Sequence, residues 1–165
     1  MAAGHLRGVL EIEVTFLDQS LDERVDFDGI VDRLLGSLSD VAGAGSRVRL
    51  RRTGAFGILV ADVATPLVMV LTEVVQNAIE HGFPGQRTGM VTVHARRTNR
   101  RVDVVVADDG EGLPAGFSLE GSDRLGLQIV RTLVTSELRG TIDVRSRTPE
   151  PGTEAVLCVP LTRHR

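Results

Sequence analysis

Three polar side chains spaced four residues apart are the first candidates for chemistry. Glu73, Asn77 and His81 lie one helical turn from one another, so on a helix they form a row along one border of its apolar face. A carboxylate, an amide and an imidazole in one row could form a site, or they could be surface residues with incidental spacing; for this helix alone both interpretations stay open. A zinc site of Glu73 and His81 is disfavoured because no third ligand is visible in the sequence.

A strand-like run that ends in two acids and two glycines is the second candidate. The segment VDVVVADDGEG places Asp108 and Asp109 at the end of the strand, followed by Gly110 and Gly112. Glycine adopts positive φ and lets a ligand approach the backbone closely, so the carboxylates could belong to a binding site. A polar turn after a strand is the plainer alternative. A dinucleotide-binding fingerprint is disfavoured because Pro114 interrupts the segment and the acids would repel a pyrophosphate.

The third candidate is the start of a predicted helix in GSDRLGLQIV. Ser122 or Asp123 could cap this helix, and Gly126 falls in its first turn. Free amides and the positive end of the helix dipole suit an anion such as phosphate. An ordinary capped helix explains the same residues and, in isolation, is the favoured alternative. Its predicted core face consists of Ile129, Val130, Leu133 and Val134.

Regular elements predicted along the chain would position these candidates. A helix over 66–81 begins at Thr65–Pro66, which supply an N-cap and a proline at the first helical position, and its apolar stripe faces a sheet. Two further helices are predicted, one after Asp26 and one over 125–138. Strands are predicted at 47–52, 56–60, 90–97, 102–107, 141–146 and 154–160. This order predicts an α/β two-layer sandwich with helices on one face of a mixed, largely antiparallel sheet.

The basic residues are all arginine, and this excludes several classes of protein. The chain has 165 residues, of which nineteen are Arg and none is Lys. Nucleotide binding of the Walker type, the strand lysine of ordinary protein kinases and Schiff-base chemistry all need a lysine. Nucleic-acid binding is disfavoured because the chain has no Trp or Tyr, only five Phe and a net charge of −3.

Size and hydropathy predict one domain and no membrane segment. Hydrophobic residues make up 42% of the chain and charged residues 25%, and no apolar run approaches the ~20 residues that span a bilayer. The N-terminal sequence lacks the pattern of a secretory signal, so the cytoplasm is the expected compartment. The single Cys158 agrees, because it is expected to be a reduced, buried thiol in an apolar strand.

Taken together and in this order, the three candidate segments resemble the ATP-binding domain of the GHKL superfamily. The segments are LTEVVQNAIEHGF, DDGEG and LGLQIV, followed by PGTEAVLCVPL. The superfamily includes histidine kinases, anti-sigma kinases and DNA gyrase, and the chain is most similar to actinobacterial sensor histidine kinases whose dimerisation domain is of the second HisKA type. The resemblance implies a Bergerat-type ATP-binding fold over 26–165. It also implies a junction at 1–25, a possible remnant of a dimerisation helix, in which residues 10–16 fit either a strand or a helix.

The resemblance implies a role for each candidate residue. Asn77 would be the Mg²⁺ ligand, with the metal bridging ATP phosphate oxygens. Glu73 would polarise the attacking nucleophile, and His81 would lie near the phosphates. Asp108 would accept a hydrogen bond from the adenine 6-amino group. The other implied ATP-binding residues are Gly110, Gly112, Leu125, Gly126, Leu127 and Thr153.

The sequence departs from the family pattern in two places. Arg124 stands where the G-x-G-L box has its first glycine, so it would either supply positive charge to the phosphates or face solvent. None of the histidines has the H-R-x-K-N surroundings of a phosphorylated helix; they are His5, His81, His94 and His164. We therefore expect a histidine protein kinase that phosphorylates a histidine on a separate dimerisation domain, with a response regulator downstream. A free-standing anti-sigma serine kinase and a non-catalytic ATP-binding regulatory module are the alternatives.

Overall fold

The computed structural model describes residues 23–42, 47–83, 88–121 and 125–161. Most of the predicted junction at 1–25 lies outside these ranges, and so do Arg124 and the two candidate capping residues before it. The elements in chain order are β1 Arg24–Asp26, α1 Phe27–Ala42, β2 Val48–Gly54, β3 Ile58–Val60, α2 Ala61–Gly82, β4 Gly89–Arg97, β5 Arg101–Asp108, α3 Leu125–Thr132 with a π-helical turn Leu133–Glu137, β6 Thr141–Ser146 and β7 Thr153–Pro160.

Five strands form one mixed sheet in the order β2-β4-β5-β7-β6. β2 runs parallel to β4, and the other neighbouring pairs are antiparallel. The helices cover one face of this sheet, so the predicted two-layer α/β sandwich is confirmed. The predicted apolar stripe of α2 consists of Leu67, Val70, Leu71, Val74 and Ala78. The first four are buried in the core, and Ala78 is partly buried against it.

The stretch 56–60, predicted as one strand, contributes only a short strand to a second sheet. Ile58–Val60 pairs antiparallel with β1 instead of joining the five-stranded sheet. The chain turns at Gly57, whose φ of 73° glycine adopts without strain. The Asp28 carboxylate, in the first turn of α1, accepts hydrogen bonds from the amides of Phe56 and Gly57 at 2.7 and 3.1 Å. These bonds fix the turn and direct β3 away from the main sheet.

Helix α2 begins at Ala61, whereas the Thr65–Pro66 pair predicts a start at residue 66. Proline cannot donate a backbone hydrogen bond and is disfavoured in a helix interior. However, Ala61 and Val63 are buried, and Thr65 Oγ1 donates to the Ala61 carbonyl at 2.8 Å. Burial of this additional turn offsets the missing bond. Among the described helices, α2 alone has the length and hydropathy to cross a membrane, yet 61% of its most apolar window is buried inside the protein.

Two predictions of burial are wrong, one in α3 and one in β7. Ile129 was predicted to face the core but is 38% exposed, and Leu127 is buried in its place. The buried side chains Leu127, Val130 and Val134 follow the spacing of three and four residues that places them on one face of the helix. Ile129 lies about 100° round the helix from Val130 and so points away from that face. Cys158 is only partly buried, because side chains alternate along β7 and its neighbour Leu157 points into the core.

Candidate functional site

A cavity of about 400 Å³ opens between α2, the end of β5 and the start of β7. Six of the residues that the sequence predicts for the site line it: Asn77, His81, Asp108, Gly112, Leu127 and Thr153. Two come from α2 and the others from four later segments, so the fold brings together residues more than 70 positions apart in the chain. The walls are otherwise largely apolar, which suits a flat ring system with a few polar contacts.

Asp108, at the end of β5, is the most buried polar group of the cavity, with only 4% of its surface exposed. Its Oδ1 accepts hydrogen bonds from the Gly110 and Thr153 amides at 2.9 and 3.3 Å. Burial raises the pKa of this carboxyl, and the two amide hydrogen bonds oppose the rise. No residue that the structure describes donates a hydrogen bond to Oδ2. Asp108 therefore presents a buried acceptor oxygen with capacity for a ligand donor.

The glycines after β5 have different tasks. Gly110 lies outside the cavity wall and packs against the end of α2, where a Cβ would clash with the Gly82 carbonyl oxygen. Glu111 N also donates to that carbonyl at 2.9 Å, so the strand end is fastened to the helix end. Gly112, with φ of 86°, turns the chain along the cavity. The Asp109 carboxylate accepts a hydrogen bond from the Met90 amide at 2.8 Å and extends the pairing of β4 with β5.

Glu73 does not line this cavity but lies one helical turn before Asn77, against the start of α3. A Cβ on Gly126 would fall 2.5 Å from Glu73 Oε2. Burial, and secondarily the charge of Glu80, raise the pKa of Glu73. Gly82, at the C-terminal end of α2, packs against Asp108 and lies about 13 Å along the helix from Glu73 at about 1.5 Å per residue. The site is therefore elongated, with one carboxylate near each end.

The second glycine box is only partly within the described residues. Leu125 and Gly126 begin α3, and Leu127 is buried in the cavity wall. Arg124 lies outside the described part of the chain. In the described ranges no three His, Cys, Asp or Glu side chains cluster as a metal site.

Sequence reasoning missed most of the apolar wall and one turn. The missed apolar residues are Val74, Ala78, Val106, Leu113, Pro114, Val144 and Ala155. Alternation along the strands could have pointed to Val106 and Ala155, which share the inner face. The segment PEPG indicates a turn between β6 and β7, but nothing in it indicates that its Gly152 packs against the Asp108 backbone. No local signal links that turn to a strand end more than 40 residues earlier.

Comparison with known proteins connects this geometry with a family. The model described as histidine kinase-, DNA gyrase B-, and HSP90-like ATPase matches residues 62–163. Sensor histidine kinase PdtaS of Mycolicibacterium smegmatis is 55% identical over 148 residues, 89% of this chain and 30% of that protein. PdtaS of Mycobacterium tuberculosis is 53% identical over the same length. The chain thus spans about a third of the length of these relatives.

Solved structures share the fold at low sequence identity. The histidine kinase domain of the Erythrobacter litoralis EL346 blue-light activated histidine kinase superposes with a TM-score of 0.81 at 21% identity, covering 96% of this chain and 74% of that one. The ATP binding domain of PrrB from Mycobacterium tuberculosis gives a TM-score of 0.67 at 22% identity, covering 87% of this chain and 100% of that one. This chain and both solved structures therefore share the Bergerat-type arrangement of helices and sheet.

Proposed function

The chain belongs to the histidine kinase-, DNA gyrase B- and HSP90-like ATPase family, and we propose that it is the catalytic domain of a two-component sensor histidine kinase. In this proposal it binds Mg-ATP and transfers the γ-phosphoryl group to a histidine on a dimerisation domain. The single observation that carries the proposal is the buried Asp108 carboxylate, whose Oδ2 is available to a ligand at the base of a mostly apolar cavity. The two PdtaS relatives, at 53–55% identity, support the histidine kinase branch.

The adenine ring would occupy the cavity beside Asp108. An ionised carboxylate accepts but cannot donate, so Oδ2 pairs with the 6-amino group of adenine and not with the 6-oxo group of guanine. Thr153 and Gly112 would flank the ring, since both line the cavity with Asp108. The apolar wall, including Val106 and Leu127, would exclude water from its faces.

The phosphates would extend from this cavity along α2 towards Glu73. Asn77 lies between the two ends, and its amide oxygen is the kind of hard ligand that Mg²⁺ accepts alongside phosphate oxygens and waters. When bound, the ion would neutralise charge on the phosphate oxygens. His81 lines the same cavity and would contact the nucleotide from α2, and the amides at Leu125 and Gly126 would face the phosphates.

Glu73 would act on the incoming nucleophile at the far end of the row. The acceptor imidazole attacks the γ-phosphorus, the bond from phosphorus to the bridging oxygen breaks, and ADP leaves with that oxygen. The raised pKa of Glu73 makes it a better proton acceptor than an ordinary exposed carboxylate, which suits hydrogen bonding to the imidazole N–H. Positioning and charge neutralisation would supply most of the catalysis.

The acceptor would be supplied by a dimerisation domain, of the second HisKA type, in another segment or chain. The two described histidines do not suit the role: His81 lines the proposed nucleotide cavity, and His94 lies on the outer face of β4 with its Nδ1 2.8 Å from Thr53 Oγ1. A response regulator would receive the phosphoryl group, and the reaction would take place in the cytoplasm, where ATP is available.

A transfer assay tests this function directly. The chain is incubated with γ-labelled ATP, Mg²⁺ and a supplied histidine kinase dimerisation domain, and the product is divided between acid and alkali. Acid-labile, alkali-stable label on the supplied domain is expected, because phosphohistidine is a phosphoramidate. Acid-stable label on an anti-anti-sigma-type protein would instead establish the serine kinase alternative. ATP binding without turnover on any partner would establish the regulatory module.

A further inference from the structure

The turn between β6 and β7, residues 147–152, packs on the main chain of Asp108. Gly152 has φ of 112°, and a Cβ there would clash with the Asp108 carbonyl oxygen, so only glycine permits this approach. The next residue, Thr153, donates its amide to Asp108 Oδ1 at 3.3 Å. The position of the turn therefore determines one of the two hydrogen bonds that orient the carboxylate.

Arg147 joins this turn to Asp108 through its guanidinium. Nη1 donates to the Asp108 carbonyl at 3.0 Å and to the Pro151 carbonyl at 3.4 Å, while Nη2 donates to Glu150 Oε2 at 3.0 Å. The Arg147 amide also donates to the Gly152 carbonyl at 2.9 Å and closes the turn. The Arg147 side chain thus donates hydrogen bonds both to the Asp108 backbone and to the β6–β7 turn. The planar guanidinium of arginine allows this, whereas the single ammonium of lysine would not.

The charge of Arg147 also acts on Asp108. Burial raises the pKa of this carboxyl and Asp109 adds to the rise, while the two amide hydrogen bonds and Arg147 lower it. The other ionisable side chains that share the cavity with Asp108 are His81 of α2 and Glu111 of the following loop. Among the described arginines, Arg147 is the one whose positive charge lowers the pKa of Asp108. The Arg147 side chain is three-quarters buried.

We propose that Arg147 is a positioning residue for adenine recognition: it fastens the β6–β7 turn to the Asp108 backbone, so that Asp108 Oδ1 stays bonded to the protein and Oδ2 stays available to adenine. The inference rests on the proposed role of Asp108 in ATP binding. Without the guanidinium, the Thr153 amide would be held less firmly against Oδ1, and the carboxylate could rotate or take up a proton. A protonated Asp108 can donate, which would admit the 6-oxo group of guanine.

Arg147→Met tests this, with Arg145→Met as its matched control. Arg145 is two residues earlier, on β6, and its exposed side chain pairs with Glu154. Calorimetry should show that Arg147→Met binds ATP about tenfold more weakly than the wild type, because one charge-assisted contact is lost. The ratio of its affinities for ATP and GTP should also be smaller. Arg145→Met should change neither quantity much. Arg147→Lys, which keeps the charge but not the fork, should recover part of the preference.

A carboxyl titration by carbon NMR provides a readout without nucleotide. Arg147→Met should raise the pKa of Asp108 relative to the wild-type chain, and Arg145→Met should leave it unchanged. If Arg147→Met keeps both the preference for ATP over GTP and the Asp108 pKa of the wild-type chain, the inference is overturned and the proposed function stands. A wild-type chain that binds ATP and GTP equally would instead refute the role of Asp108, and the role of Arg147 with it.

Discussion

Glu73 lies directly against Gly126, with Oε2 only 2.5 Å from where a Cβ on residue 126 would stand. The start of α3 therefore leaves room for the proposed catalytic carboxylate only because it has no side chain there. This contact joins the second glycine box to the polar row of α2.

Gly126→Ala is expected to leave the chain folded and to slow phosphoryl transfer by about tenfold or more, the cost of a misplaced catalytic group. The added methyl group meets the end of a flexible side chain, so Glu73 moves while the backbone stays. Gly36→Ala is the control, because its Cβ meets nothing within 4 Å and an exposed helical alanine stabilises by about 0.5–1 kcal/mol. Equal transfer rates for both variants would contradict this account of Gly126.

Asp108→Asn should weaken adenine recognition by about 1.5–3 kcal/mol, the value of a hydrogen bond to a charged group, since it replaces an acceptor oxygen with a possible donor. Titration calorimetry with ATP, ADP and GTP measures the change. Asp103→Asn is the matched control on the same strand, where the carboxylate faces outward and pairs with Arg101. Unchanged and equal affinities for ATP and GTP would rule out the adenine assignment.

Asn77→Ala should retain the fold and abolish phosphoryl transfer, because the proposed task of the amide is to hold the metal. Melting curves with and without Mg-ATP separate this from a structural role: the variant should melt like the wild type alone and lose most of the ligand-dependent stabilisation. Gln76→Ala is the control: residue 76 lies outside the cavity wall, so this variant should keep the stabilisation by Mg-ATP. Lower stability of Asn77→Ala in both conditions, with the ligand effect intact, would point to packing.

Acidification should weaken ATP binding at a higher pH than an ordinary carboxyl would require. Burial, the largest cause, raises the pKa of Asp108 above its ordinary value of 3.8, and the adenine contact needs the ionised form. The effect of pH on stability without nucleotide has the opposite direction. The folded state binds the Asp108 proton more tightly than the unfolded state does, because the pKa is higher in the folded state. The contribution of Asp108 to the free energy of unfolding therefore falls as pH rises from 3.8 through the raised pKa. Calorimetry and urea unfolding of the wild type and Asp108→Asn across that interval check both signs.

Periodicity made the main parts of the site predictable from the sequence. The row Glu73, Asn77 and His81 follows from the helical repeat of α2, and Asp108 from the end of an alternating strand. The departure of β3 from the main sheet was not predictable, because it depends on a contact of Asp28 with residues 28 positions later. The same holds for Arg147 and Gly152, since tertiary packing alone brings their turn to the Asp108 backbone.

The small sheet of β1 and β3 is joined directly to the helix of the candidate site. β3 ends at Val60 and α2 begins at Ala61, with no loop between them, and the Ala61 amide donates to the Glu23 carbonyl at 2.8 Å. The residue just before β1 is therefore hydrogen-bonded to the first residue of the helix that carries Glu73 and Asn77, and β3 continues into that helix directly.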